Sequence, residues 1–242
     1  MAWSKCGTTI RVGIGAHWPP YFIINDRLVG GIEVDILDML LLDMGMCAQY
    51  IKLPSPARMR TEFVAQRIDL LMAISFNEER ASLGVFSHPY RNEISRLLVN
   101  ARNEADRELP LTELMDKGKS LVLTRETYFG EMVENIRLQP KYAEQIVYVS
   151  RVPQRFSLVA AGHTDMTVID EQVARYLFAL IGDADVSLSA QPLAVEPVHY
   201  LVHKTLATQA FVSQLNSAIS RNRNKIDAIL DRVPINVVGA VK

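Results

Sequence analysis

Neither sign of charge is in excess. Lys and Arg number 26 against 27 Asp and Glu, a formal net charge of −1. No basic surplus is left to neutralise phosphates, which argues against a nucleic acid partner. Long apolar runs are also missing. The longest, Ile36 to Met46 (ILDMLLLDMGM), is broken by aspartates and falls well short of the roughly 20 residues that span a bilayer. The chain contains no paired CxxC, no HExxH, no GxxxxGK[ST] and no GxSxG. Zinc knuckles, zincin proteases, phosphate-loop NTPases and α/β-hydrolases are thereby disfavoured. The five histidines are scattered. His199 and His203 have i, i+4 spacing but flank YLV in an expected strand, so they do not form a helical zinc pair. No metal or cofactor site and no catalytic residue is expected.

Cysteine is scarce, with only Cys6 and Cys47 present. Each lies four residues before an apolar residue of an expected strand, Ile10 and Ile51. If those strands are parallel neighbours, both thiols sit at one sheet edge. A disulfide is then possible and would imply an oxidising compartment. Two unrelated thiols are the other reading, and both stay open here. The start, MAWSKCGTT, has no apolar signal core. It fits either a cytoplasmic protein or one whose targeting segment has been removed.

What is present is ordinary globular material, 49% hydrophobic and 22% charged over 242 residues, enough for one large domain or two small ones. Strand and helix signals alternate. Ile10 to Gly15 is a short β-branched run. Ile32 to Gly45 has helical spacing, with Gly45 as a C-cap. Ala48 to Leu53 reads as a strand, Arg58 to Gln66 as a helix and Leu70 to Ile74 as a buried strand. This βαβαβ order predicts a parallel sheet covered on both faces by helices. The grammar then restarts. Strands are expected at Ser120 to Thr124, Gln145 to Ser150 and Met166 to Ile169, with helices at Phe129 to Ile136, Gln154 to Ala161 and Glu171 to Leu180. RIDLLMAIS, ending in Ser75, and HTDMTVID, ending in Asp170, resemble each other. Two lobes on one plan are expected: 8–100, 101–195, and a return to the first lobe over 196–242. Ile94 to Pro110 and Leu193 to Lys204 are the connecting extended segments. A helix from about Gln209 to Leu230 is expected to pack on the first lobe.

Ligands of open parallel sheets bind outside the carboxyl ends of the strands. Four such ends carry chemistry. GAHWPPYF offers Trp18 and Tyr21 as flat apolar faces on a proline-stiffened loop. ISFNEER offers the Ser75 hydroxyl, the N–H groups of a helix start capped by Asn77, and Arg80, whose guanidinium can grip a carboxylate with two parallel hydrogen bonds. LTRETYF places Thr127 near a helix start, where it could reach an anion or an amine. IDEQVARY places Asp170 where a strand ends and a helix begins. It can serve as an N-cap and also accept from a ligand ammonium. A cation and hydroxyl on one lobe and a carboxylate on the other suit a zwitterion.

These residues resemble the bacterial extracellular solute-binding proteins of family 3, the amino-acid receptors of ABC importers. The resemblance runs from IRVGIGAHWPPYF to about Asp231. LVGGIEVDILDML is similar to the family's G-x-x-x-D segment, and RIDLLMAISFNEERASLGVFSHPY to its most recognisable stretch. It implies the two-lobed α/β type II periplasmic binding fold, with two hinge strands and lobes that close on the ligand. It implies ligand-binding roles for Trp18, Ser75, Arg80, Thr127 and Asp170, and a backbone or small side-chain contact at Ala73. It also implies a periplasmic monomer, its signal segment removed, that delivers an amino acid to a membrane permease. The sequence departs from the family at Glu126, where a glycine is usual before Thr127, at Arg67 before the IDL motif, and at Arg58 and Arg125. Two other outputs share the scaffold. One is the sensor domain of a signalling protein. The other is a cyclohexadienyl-dehydratase-like enzyme, for which Glu126 would be the candidate acid.

Overall fold

The computed structural model of the protein describes residues 6–15, 17–26, 28–125, 128–150, 152–182 and 185–232. Along the chain, β1 (Thr8–Ile14), β2 (Ile23–Ile24) and β3 (Val29–Gly30) lead into α1 (Ile32–Asp43). Then come β4 (Met46–Lys52), α2 (Pro56–Val64), β5 (Leu70–Ser75), α3 (Glu78–Leu83), β6 (Gly84–Phe86) and β7 (Arg91–Asn100). A 3-10 stretch, Ala101–Glu108, precedes α4 (Leu111–Asp116), β8 (Leu121–Thr124), α5 (Glu131–Arg137), β9 (Ile146–Val149) and α6 (Val152–Ala160). The chain ends in β10 (Met166–Asp170), α7 (Glu171–Ile181), β11 (Val186–Leu188), β12 (Ala194–His203), α8 (Gln209–Arg221) and α9 (Arg223–Leu230). It divides into two units. Unit 1 comprises Met1–Asn92 and Glu196–Lys242, and unit 2 comprises Glu93–Val195.

In unit 1 the strand order is β4-β1-β5-β12. β1 is parallel to β4, from Thr8↔Met46 to Ile14↔Lys52, and parallel to β5 at Val12↔Leu70. β12 returns antiparallel on β5 and carries β6. β1 is a central strand, so Ile10, Val12 and Ile14 are all buried. Helix α1 contributes Ile36, Leu37, Leu40 and Leu41, each wholly buried. At about 1.5–3 kcal/mol for each fully buried aliphatic side chain, this face anchors the unit. The strand register also decides the cysteine question: Cys47 lies within β4, Cys6 just precedes β1, and the two are disulfide-bonded with Cα atoms 5.8 Å apart.

The single C-terminal helix expected from the sequence is two helices, α8 and α9, both in unit 1. The break falls at Asn222. Its buried amide donates to Ala218 O at 2.9 Å and to Asp43 Oδ2 at 3.1 Å, while Arg221 donates to the same Asp43 oxygen at 2.7 Å. A side chain that bonds back to the preceding turn and across to α1 competes with helix continuation.

Unit 2 repeats the plan. Its order is β9-β8-β10-β7, with β8 parallel to β9 and β10 and β7 antiparallel to β10. Its own core gathers Leu97, Val99, Leu114, Leu121, Leu123, Ile136, Met166 and Val168. The strand ending in Ser75 and the strand ending in Asp170 thus hold equivalent places in their units, each with one parallel and one antiparallel neighbour. Among the described residues, no helix is long and apolar enough to cross a membrane.

Candidate functional site

In unit 1 the candidate residues gather at the C-terminal ends of β1 and β5. The loop after β1 is closed by a pair of 2.9 Å bonds, Trp18 N–H to Phe22 O and Phe22 N–H to Trp18 O, and its Pro19–Pro20 peptide is cis. The first turn of α1 fastens onto this loop: Ile32 N–H donates to Pro20 O at 3.0 Å and Glu33 N–H to Tyr21 O at 3.2 Å. Gly31 makes the contact possible. Its φ is +107°, and a Cβ there would lie 2.5 Å from Tyr21 O. Only glycine combines that backbone with that approach. The half-buried Trp18 ring lies 4.7 Å from that of Tyr21. Tyr21 itself is wholly buried, and the Arg91 guanidinium sits 4.2 Å over its ring. Its ring therefore backs Trp18 and carries Arg91.

β5 is irregular near its end. Leu71 pairs with Leu201 and Ile74 with His199, so Met72 and Ala73 together stand opposite Tyr200. This is a β-bulge, and Ala73 has φ +57°, a left-handed conformation that costs an L-residue with a Cβ roughly 1–2 kcal/mol. The bulge turns the Ala73 N–H onto the Tyr90 hydroxyl at 3.2 Å. Tyr90 in turn donates to Glu33 Oε2, and Glu33 Oε1 accepts from Arg91 Nε at 2.6 Å. The Tyr90 ring stacks on Tyr200 at 4.1 Å. Burial and then the charge of Glu33 hold the Tyr90 phenol well above its ordinary pKa, so it stays a donor. This network ties the aromatic loop to the bulge. Glu33, Tyr90 and Arg91 escaped sequence reasoning, and the signals that could have found them are the acid opening an apolar helix in GIEVD and the Tyr-Arg pair in SHPYR.

Beyond the bulge, Arg80 Nη1 donates to Ser75 O at 2.8 Å. The two residues singled out at this strand end are thus in direct contact, with the guanidinium exposed. Glu79, its neighbour, is bonded to Arg60 instead. Among the described residues, no carboxylate lies within 4.0 Å of Arg80. α3 has six residues, and Asn77 caps it as expected, its Oδ1 accepting from the Arg80 N–H at 2.8 Å. The departures Arg58 and Arg67 are both engaged by the mostly buried Glu62, at 2.6 and 3.1 Å.

In unit 2, Asp170 ends β10 and caps α7, its Oδ1 accepting from Val173 N–H at 3.0 Å. The next residue, Glu171, accepts from Arg96 Nε and Arg175 Nη2, both at 2.7 Å. Burial pushes the Glu171 carboxyl up, but these two arginines more than offset it, and its pKa lies below the usual range. Thr127 and Glu126 lie outside the described residues. Arg125, just before them, places its guanidinium 5.4 Å over the Tyr148 ring. Among the described residues, no group of three or more His, Cys, Asp or Glu could hold a metal ion.

The family model of the bacterial extracellular solute-binding proteins, family 3, matches residues 10–233. No curated protein matches the chain. Solved structures similar in fold include a probable amino-acid ABC transporter extracellular-binding protein, ytmK from Bacillus subtilis, at 15% identity and a TM-score of 0.75, covering 94% of this chain and 96% of that one. A histidine kinase sensor domain with similarity to periplasmic binding proteins matches at 22% identity and a TM-score of 0.65, covering 91% and 93%. The ancestral amino-acid-binding protein AncCDT-1, a precursor of cyclohexadienyl dehydratase, matches at 18% identity and 0.67, covering 91% and 92%.

Proposed function

Because the chain belongs to family 3 of the bacterial extracellular solute-binding proteins, we propose that it captures a small zwitterion, an α-amino acid, outside the cytoplasm. It passes the solute unchanged, as a monomer, to the membrane permease of an ABC importer. The observation that carries this reading is the state of Arg80: exposed, steadied on the Ser75 carbonyl, and without a carboxylate partner among the described residues. A guanidinium so held is ready to pair with a ligand carboxylate through charge-assisted bonds. The Ser75 hydroxyl adds a donor, and the half-buried Trp18 adds an apolar wall. Asp170 supplies an acid for the ammonium, and Thr127 is assigned to the same end of the ligand. Ala73, held at the bulge, keeps a small side chain and a carbonyl near Ser75. The Cys6–Cys47 disulfide suits an oxidising, periplasmic location.

The test is a thermal-shift screen against the standard amino acids and related carboxylates. A binder present at 100 times its Kd adds about 2.7 kcal/mol of stability, a readily measured rise in Tm. No rise with any compound overturns the reading. Conversion of prephenate or arogenate above a buffer control overturns the absence of catalysis. Uptake into proteoliposomes carrying the permease separates import from sensing, since a sensor would bind the solute without supporting transport.

A further inference from the structure

Arg155 is a buried cation that the reading above does not use. It lies in the first turns of α6 and is 5% exposed. Its Nη1 donates to Thr167 Oγ1 at 3.3 Å and to Val168 O, both on β10, and Thr167 Oγ1 donates onward to Val122 O of β8 at 2.7 Å. Its guanidinium lies 4.9 Å over the Phe129 ring. Among the described residues, no carboxylate comes within 4.0 Å of it. Its Nε is sealed from solvent without a partner, while Nη2 makes no hydrogen bond and is not sealed. Burial alone draws its pKa down to about 10, so it remains charged at neutral pH. A second orphan stands on the same sheet: the Thr124 hydroxyl at the end of β8 is buried without a partner.

Burying a lone charge costs several kcal/mol. Here the nitrogen that is both unpartnered and unsealed is Nη2, which can donate a charge-assisted bond to a carboxylate. The N-terminal end of α6 adds a favourable dipole. Val168, which Arg155 grips, is two residues before Asp170 on β10, about 7 Å along the strand.

We propose that unit 2 carries an anion subsite centred on Nη2 of Arg155, and that it receives the second acidic group of a dicarboxylic amino acid. The inference rests on the amino-acid reading above and names the ligand class. The ammonium goes to Asp170 and the side-chain acid to Arg155, so an acidic side chain is preferred to its amide.

Calorimetry with L-glutamate, L-aspartate, L-glutamine, L-asparagine and succinate tests this on the wild type, Arg155→Gln and Arg155→Met. The methionine variant fills the site without charge and is the one to use should the glutamine variant fail to fold, because an apolar replacement of a buried ion is often tolerated. The acids are expected to bind about tenfold or more tighter than their amides, from exchanging a neutral for a charge-assisted bond. In the variants that preference should vanish while amide affinity holds. Amides binding as tightly as acids to the wild type, or both classes weakened alike by the variants, overturns the subsite and leaves the amino-acid reading standing. Succinate binding that needs Arg155, with no amino acid binding, upholds the subsite and overturns the amino-acid reading. No binding by any of the five overturns the subsite.

Discussion

Arg91 Nε donates to Glu33 Oε1 at 2.6 Å, and neither side chain has any exposure. The pair is the hub of a chain that runs from the Tyr21 ring through Glu33 and Tyr90 to the Ala73 amide. It connects residues 58 apart in sequence, and it holds two loops in place at the end of the unit 1 sheet. Removing one partner strands a buried charge, which costs about 3–5 kcal/mol. Glu33→Ala and Arg91→Ala should each lose stability of that order in urea denaturation. The double variant Glu33→Ala/Arg91→Ala should lose less than the sum. Full additivity would mean that the two groups do not act together.

Ala73 holds a left-handed backbone without being glycine. Ala73→Gly relieves that strain, offset in part by the greater chain entropy glycine loses on folding. The variant should be unchanged or more stable by up to about 1 kcal/mol, whereas Ala73→Val should be destabilised because β-branching opposes positive φ. Equal melting temperatures for the two variants would remove the bulge as a strained element.

Arg80 and Asp170 can be separated by choice of variant. Arg80→Ala removes an exposed group, so Tm should hold while Kd for the screened amino acid rises about 10- to 150-fold, the range for a hydrogen bond to a charged group. Asp170→Asn keeps a good N-cap for α7 but removes the charge. It should weaken amino acids far more than the matching amine-free carboxylates. An equal loss for both ligand types would reject ammonium recognition, and unchanged affinity in Arg80→Ala would reject the carboxylate assignment.

Glu171 is held below the usual carboxylate range by Arg96 and Arg175 against the effect of its burial. The sign follows from the proton count: the unfolded chain takes up a proton at higher pH than the folded one. The contribution is therefore fully present above about pH 4.3, the unfolded glutamate value, and is lost as pH falls through the lower folded value. Glu171→Gln should lower stability at pH 7 and flatten the acid limb of the stability curve. An acid limb parallel to wild type would show that the arginine pair does not couple to it.

The Cys6–Cys47 bridge closes a loop of sequence separation 41, for which the chain-entropy account gives about 4 kcal/mol. Cys6→Ser/Cys47→Ser, or reduction, should lower the urea midpoint accordingly. A change under about 1 kcal/mol would imply that the unfolded chain is little restricted by the link.

Much of this protein was legible along the chain because helix and strand periods are local. The apolar spacing of Ile32 to Asp43 and the unbroken apolar run from Leu70 to Ile74 need only neighbouring residues to express themselves. So does the pairing of a strand end with an arginine a few residues on, as in Ser75 and Arg80, whose contact is local. The break at Asn222 was not legible, since it depends on Asp43 of a distant helix. The left-handed Ala73 was not legible either, because alanine carries no signal for that backbone. Its conformation follows from the register of β5 on β12.

Sequence by itself determined the order of elements and the chemistry available at the strand ends, since both are written in residues close together along the chain. Tertiary structure alone decided which distant groups meet: Cys6 with Cys47, Glu33 with Tyr90 and Arg91, and Arg155 with β10 but with no acid among the described residues. The physical reason is that hydrogen bonds and ion pairs act over a few ångströms in space. Separation along the chain does not measure that distance until the sheet register has set it.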